Sequence, residues 1–134
     1  MQWNVFLGLF TISLPVFLVI DLLWIGFLAS DFYNRQIGSL RGDINWQAAS
    51  LFYVLFLAGV TYFAIYPGWQ SNSLLTAAFL GAGYGFSVYA AYNLTNMATL
   101  ADWTWPMTVV DIAWGTILGA SVTVVSVWLY TVLF

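Results

Sequence analysis

Two short motifs carry the same pair of chemically useful side chains at the same spacing. Asp21 is followed three residues on by Trp24 (DLLWIG), and Asp111 three residues on by Trp114 (DIAWG). At that spacing an acid and an indole share one face of a helix. Asp111 lies in the stretch 92–115, YNLTNMATLADWTWPMTVVDIAWG, where polar and aromatic residues crowd together. Just upstream, Tyr89, Tyr92, Asn93 and Asn96 fall at i, i+3, i+4 and i+7, again one helical face. Carboxyls and amides on such faces can hold a polar ligand group, carry a proton, or tie helices together.

The elements that must position them follow from composition. Hydrophobic residues make up 63% of the 134 positions and charged residues only 5%. A soluble domain needs roughly 25% charged residues to cover its surface, so this chain belongs in a bilayer. The expected fold is all-α, a single four-transmembrane-helix bundle. Its spans are expected at 3–29, 46–66, 73–98 and 106–133, each long enough for a hydrocarbon core that needs about 20 helical residues. The runs are too long and continuous for barrel strands. Pro15 is expected to kink the first span, Pro67-Gly68 to end the second in a tight turn at 67–72, and Pro106 to start the fourth. The first run lacks a basic leader segment and holds Asp21, so it reads as a retained span and not a signal peptide.

Opposed span directions allow the acids one depth. Asp21 precedes the start of the 30–45 connection by nine residues and Asp111 follows Trp105 by six, which puts them ~14 Å and ~9 Å from the same membrane face. Asn93 lies at a similar depth. An exposed amide or acid would be costly in lipid, so Asp21, Asn93, Asn96 and Asp111 should all point inward. With no Lys, no His and both Arg residues in the 30–45 connection, no cation stands beside them. At least one of Asp21 and Asp111 is therefore expected to be protonated at neutral pH. It would donate to Asn93, Asn96 or a backbone carbonyl.

Other chemistries are excluded or discounted. Without Cys and His there is no disulfide, no thiol catalysis and no ordinary zinc site, and no cofactor or metal is expected. Two cations offer no surface for nucleic acid. Gly-Tyr-Gly at 83–85 lacks the flanking residues of a potassium filter, and Phe86 breaks a dinucleotide-type glycine pattern. Gly81, Gly85, Gly115 and Gly119 read instead as close-packing positions. Trp3, Trp46, Trp69, Trp103, Trp105 and Trp128 stand at run ends, as an interfacial belt would. Arg35 and Arg41 place the 30–45 loop in the cytoplasm and both termini outside by the positive-inside rule.

The stretches DLLWIGFLA (21–29), FYNRQIGSL (32–40), LFYVLFLAGV (51–60), YNLTNMATL (92–100) and VVDIAWGT (109–116) stand in an order that resembles a bacterial membrane family, domain of unknown function 2177. The resemblance implies a small four-span protein of the bacterial inner membrane. It also implies that Asn93 stands where the family pattern usually has Asp, so that Asp21 and Asp111 must serve alone.

Three functional readings compete. The first is a binder, or a carrier, of a small or lipid-like ligand. Asp21, Tyr89, Tyr92, Asn93, Asn96 and Asp111 would line its polar end, and Trp24 and Trp114 its walls; transport would favour a homodimer. The second is an accessory subunit of a larger membrane complex. The third is an enzyme with Asp21 and Asp111 as an acid/base pair, which needs their carboxyls within about 6 Å of one another or of one water.

Overall fold

The computed structural model describes all residues, Met1–Phe134. It is helical throughout and has no strand. Helix α1 (Trp3–Leu23) runs on through a π turn (Trp24–Leu28). A short helix α2 (Ser30–Ile37) and a 3-10 turn (Gly38–Leu40) follow. Helix α3 (Trp46–Val60) passes through a second π turn (Thr61–Ile65) into α4 (Tyr66–Gln70). Two long helices complete the chain, α5 (Leu74–Thr99) and α6 (Trp105–Leu133). Four continuous helical stretches are long and apolar enough to cross a membrane: Trp3–Leu28, Trp46–Gln70, Leu74–Thr99 and Trp105–Leu133.

Several sequence expectations need correction. The second span does not stop at Pro67-Gly68 but continues to Gln70. The π turn just before Pro67 lets a new α segment begin there, and proline is tolerated in a first turn. The reversal falls instead at Ser71-Asn72, where Asn72 takes the left-handed φ of 51°. The 30–45 connection is not a plain loop, because α2 occupies half of it. Asp31 in its first turn and Arg35 in its last have the signs that suit the helix dipole. The chain stays helical through Pro15, and the departure from α geometry comes later, at Trp24.

The tightest contact is α5 against α6. Gly81 and Gly85 face Gly119 and Gly115 with backbone against backbone. A Cβ on Gly85 would land on the Gly115 carbonyl oxygen, and one on Gly81 on that of Gly119. In lipid, helix association rests on such van der Waals packing and on interhelical hydrogen bonds. The same row on α5 continues through Tyr89 to Asn93, so close packing aims those two side chains inward. On α1 the buried residues are Val5, Leu9, Ser13, Phe17 and Asp21, every fourth position. That row delivers Asp21 to the same interior.

The second span packs unevenly. Its buried residues are Phe56, Leu57, Val60, Thr61, Ala64, Ile65, Tyr66 and Gly68, all in its later part. From Trp46 to Leu55 only Ala49 and Tyr53 are shielded at all. The first half of α3 therefore stands off from the bundle, at the end where α2 lies.

Candidate functional site

The acids sit in that looser end. Asp21 is 3% exposed, Asp111 6% and Asn93 0%. Asp111 is fully engaged: its Oδ1 accepts from the Tyr33 hydroxyl at 2.6 Å and its Oδ2 from Asn93 Nδ2 at 2.6 Å. Asn93 Nδ2 also donates to the Tyr89 carbonyl at 3.0 Å, while Asn93 Oδ1 is buried without a partner. Trp24 Nε1 donates to the Tyr33 oxygen at 3.1 Å. The Trp24 and Trp114 rings stack 4.2 Å apart and 5° from parallel. A chain of contacts thus runs Trp24, Tyr33, Asp111, Asn93 across α1, α2, α6 and α5.

Asp21 is served differently. It accepts one long bond, 3.4 Å, from the Tyr53 hydroxyl to Oδ2, and Oδ1 has no partner. The Trp114 indole N–H lies near this carboxyl but outside hydrogen-bond geometry, and Trp114 Nε1 remains unpartnered. The two acids differ in role. Asp111 is a node of the bundle's own bonding, whereas Asp21 keeps free acceptor capacity.

Asp21 lines a cavity of ≈370 Å³. Asp21, Asp111, Tyr53, Tyr89 and Tyr92 are the lining residues that carry polar groups, and Ile25, Ala49, Phe52 and Val88 the purely apolar ones. The exposed side chains of Ile25, Phe52 and Tyr92 rim it. A second space of ≈210 Å³ shares Ile25, Tyr92 and Asp111 with the first and is bounded beyond them by Tyr33, Ile37 and Arg41. Asp111 stands where the two spaces meet. The Arg41 guanidinium donates to the Asn34 side-chain amide oxygen and makes no ion pair with Asp111.

Of the residues picked from sequence, Asp21, Trp24, Tyr89, Asn93, Asp111 and Trp114 come together, but Trp24, Asn93 and Trp114, expected to line the site, line neither cavity. Two others join the cluster less than expected. Tyr92 is 55% exposed and packs edge-on against Trp103 at 5.7 Å, so it lies at the cavity rim and not in the polar cluster. Asn96 is half-buried, lines neither cavity and bonds to neither acid. The glycine row centres the inward face of α5 on Tyr89 and Asn93, which turns Tyr92 and Asn96 to its flank. Trp103, expected in the lipid-facing belt, is buried against Tyr92.

Tyr33 and Tyr53 were missed, and with them the second span as a wall. For Tyr33 a signal existed: Phe32, Tyr33, Gln36 and Ile37 are the shielded side of α2, and their spacing is helical. Gln36 adds a tie to the start of α6, where the Thr104 hydroxyl donates to its Oε1 at 2.6 Å. Burial, with the Asp111 carboxyl beside it, holds the Tyr33 phenol above the usual tyrosine range. It therefore stays a hydrogen-bond donor at any ordinary working pH.

The family comparison can now be placed on this geometry. A family profile described as "Predicted membrane protein" (DUF2177) matches residues 6–128, from α1 into the last turns of α6. The chain belongs to the DUF2177 family. As a DUF2177 member with four candidate spans, it is an integral, multi-pass membrane protein. Neither curated proteins nor solved structures give a match. The matched stretch of this DUF2177 chain contains every residue of the cavity wall.

The protonation expectation has a direct readout here. An infrared carboxylic-acid band is expected in the unmutated protein and lost when Asp21→Asn and Asp111→Asn are combined. Its absence from the unmutated protein would contradict a proton held between these acids.

Proposed function

We propose that this protein binds a small, lipid-like molecule in the cavity between its first, second and third spans, with the polar end of the ligand at Asp21. The observation that carries this reading is the Asp21 carboxyl, 3% exposed, with one oxygen free of partners, on the wall of a largely apolar cavity. A buried acid in a membrane is costly, and one kept unsatisfied has no value as helix glue. The cavity's size falls within the usual span of small-molecule sites, about 300–1,000 Å³. Its rim residues Ile25, Phe52 and Tyr92 belong to three candidate spans, so a ligand would enter sideways from the lipid. Asp111, saturated by Tyr33 and Asn93, fixes the back wall. Carriage across the membrane would require the rim and the Arg41 side to open in turn, with Tyr33 withdrawing from Asp111.

Ala49 gives the test, because it lines the cavity on the loosely packed half of α3. Ala49→Trp should fill the mouth while leaving the bundle intact. Native mass spectrometry of protein released from membranes should show a retained small molecule on the unmutated chain and its loss in Ala49→Trp. Equal occupancy, or none in either, would overturn the reading.

We propose a bacterial inner membrane with α2 on the cytoplasmic side, a reading supported by Arg35 and Arg41 in that connection. The chain has no cysteine, so single cysteines in place of Ser39 and Ser71, both exposed, report sidedness cleanly. An impermeant thiol reagent applied to intact cells should label Ser71→Cys and spare Ser39→Cys. The opposite pattern reverses the orientation.

A further inference from the structure

We infer that the ligand of this cavity is a cationic amphiphile, a single-chain amine whose ammonium group docks at Asp21. The inference rests on the binding reading above and adds the chemical class.

The argument is an inventory of donors and acceptors. The polar groups on the cavity wall are the carboxyls of Asp21 and Asp111 and the hydroxyls of Tyr53, Tyr89 and Tyr92. No cationic side chain lines it. The chain has no Lys or His, and Arg41 borders only the adjoining space beyond Asp111. The charged groups on the wall are therefore acceptors with capacity to spare, since Asp21 Oδ1 takes no bond; the Tyr89 hydroxyl on the same wall can donate or accept. An ammonium group brings three donors and a charge opposite to that of the acid. Phe52, Tyr53 and Tyr89 add aromatic rings to the same wall, and ring faces attract desolvated cations.

Other head groups fit less well. An anionic head would meet two acids and no cation. A neutral hydroxyl can use one acceptor but gains nothing from charge. With an ammonium docked, a proton on Asp21 leaves to bulk water, and a carboxylate–ammonium pair remains. The tail then lies along Ile25, Ala49, Phe52 and Val88 and out between α1 and α3.

The test uses the whole protein in lipid nanodiscs, with empty discs subtracted. Radiolabelled dodecylamine, dodecanol and dodecanoic acid share one chain length and differ only in head group. Dodecylamine should bind at least about tenfold more tightly than either of the others, a modest return for one partly desolvated charge pair. Asp21→Asn should remove that advantage and leave dodecanol within about twofold, because an amide still offers an acceptor. Infrared spectra of the same discs should lose carboxylic-acid intensity with dodecylamine and keep it with dodecanol.

Equal binding of dodecanol and dodecylamine would overturn the amine assignment while leaving the binding reading intact. Preference for dodecanoic acid would overturn it in favour of the Arg41 side. Failure of all three to bind above empty discs, or binding indifferent to Ala49→Trp, would overturn the cavity as a ligand site altogether. The head-group ratio in the unmutated protein needs no variant, so poor folding of Asp21→Asn does not blunt the test.

Discussion

Asp111→Leu should destabilise the bundle by about 2 kcal/mol, while Asp21→Leu should be neutral or stabilising, although both remove a buried acid. The difference follows from what each carboxyl does. Asp111 accepts from Tyr33 and from Asn93, each at 2.6 Å. Removing it leaves the Tyr33 hydroxyl and one N–H of the Asn93 amide, 0% exposed, without their acceptor, and keeps only the Asn93 bond to the Tyr89 carbonyl. A buried donor left unsatisfied costs about 1–3 kcal/mol. Relief from burying the acid itself offsets part of that loss. Asp21 gives up only one bond of 3.4 Å, so the relief dominates. Asn93→Leu added to Asp111→Leu should recover much of the loss, since removing both partners leaves less to satisfy. Asp111→Asn should cost about half as much as the leucine, because one amide oxygen can serve only one of the two donors well. Unfolding in mixed micelles, or steric trapping in bicelles, measures all four variants. Equal costs at the two acids would contradict the division between a bonding node and an open site.

The second large effect concerns the glycine seam. Gly85→Ala should cost about 3 kcal/mol, at the upper end of overpacking penalties, whereas Gly83→Ala should be neutral or slightly stabilising. A Cβ at Gly85 collides with the Gly115 carbonyl oxygen, a backbone atom that cannot rotate away. At Gly83 nothing lies within 4 Å. The two positions are two residues apart on one helix, so helix propensity is shared, while Gly85 is buried and Gly83 exposed. If α5 and α6 separate to admit the methyl group, Asn93 and Asp111 move apart with them. Gly85→Ala should therefore weaken ligand binding as well as stability. An unchanged midpoint of unfolding for Gly85→Ala would mean that the seam is looser than described.

Much of this arrangement was legible in the residues. Runs of apolar sequence placed the spans, because a bilayer allows few alternatives to a helix of that length. The cost of polar groups in lipid turned Asp21, Asn93 and Asp111 inward, and equal depth brought them to one layer. The Asp-x-x-Trp spacing brought Trp24 and Trp114 together, but they stack on each other and line neither cavity, so they are not its walls. The lapses have physical causes. Span α3 is apolar on nearly every side, so no periodicity singled out Tyr53 as its inward residue. The π turns at Trp24–Leu28 and Thr61–Ile65 alter the helical count, and no residue type demands them. One of them carried the second span past Pro67. Tyr92 and Asn96 share a face with Asn93 by spacing, yet the glycine row, not the polar row, sets how α5 sits on α6. Tyr33 lay in a short polar stretch that looked like a loop because it is too short and too charged to be a span.

The account stands on one claim: the space beside Asp21 is a ligand site and not a packing fault. The most direct measurement is a structure of the protein taken from its native membrane at a resolution that shows side chains. The account predicts elongated density between the first, second and third spans, with one end against Asp21 and the body along Phe52 and Val88. A closed cavity, with α3 moved in against α1 and α5 and Asp21 Oδ1 bonded to a protein donor, would contradict it.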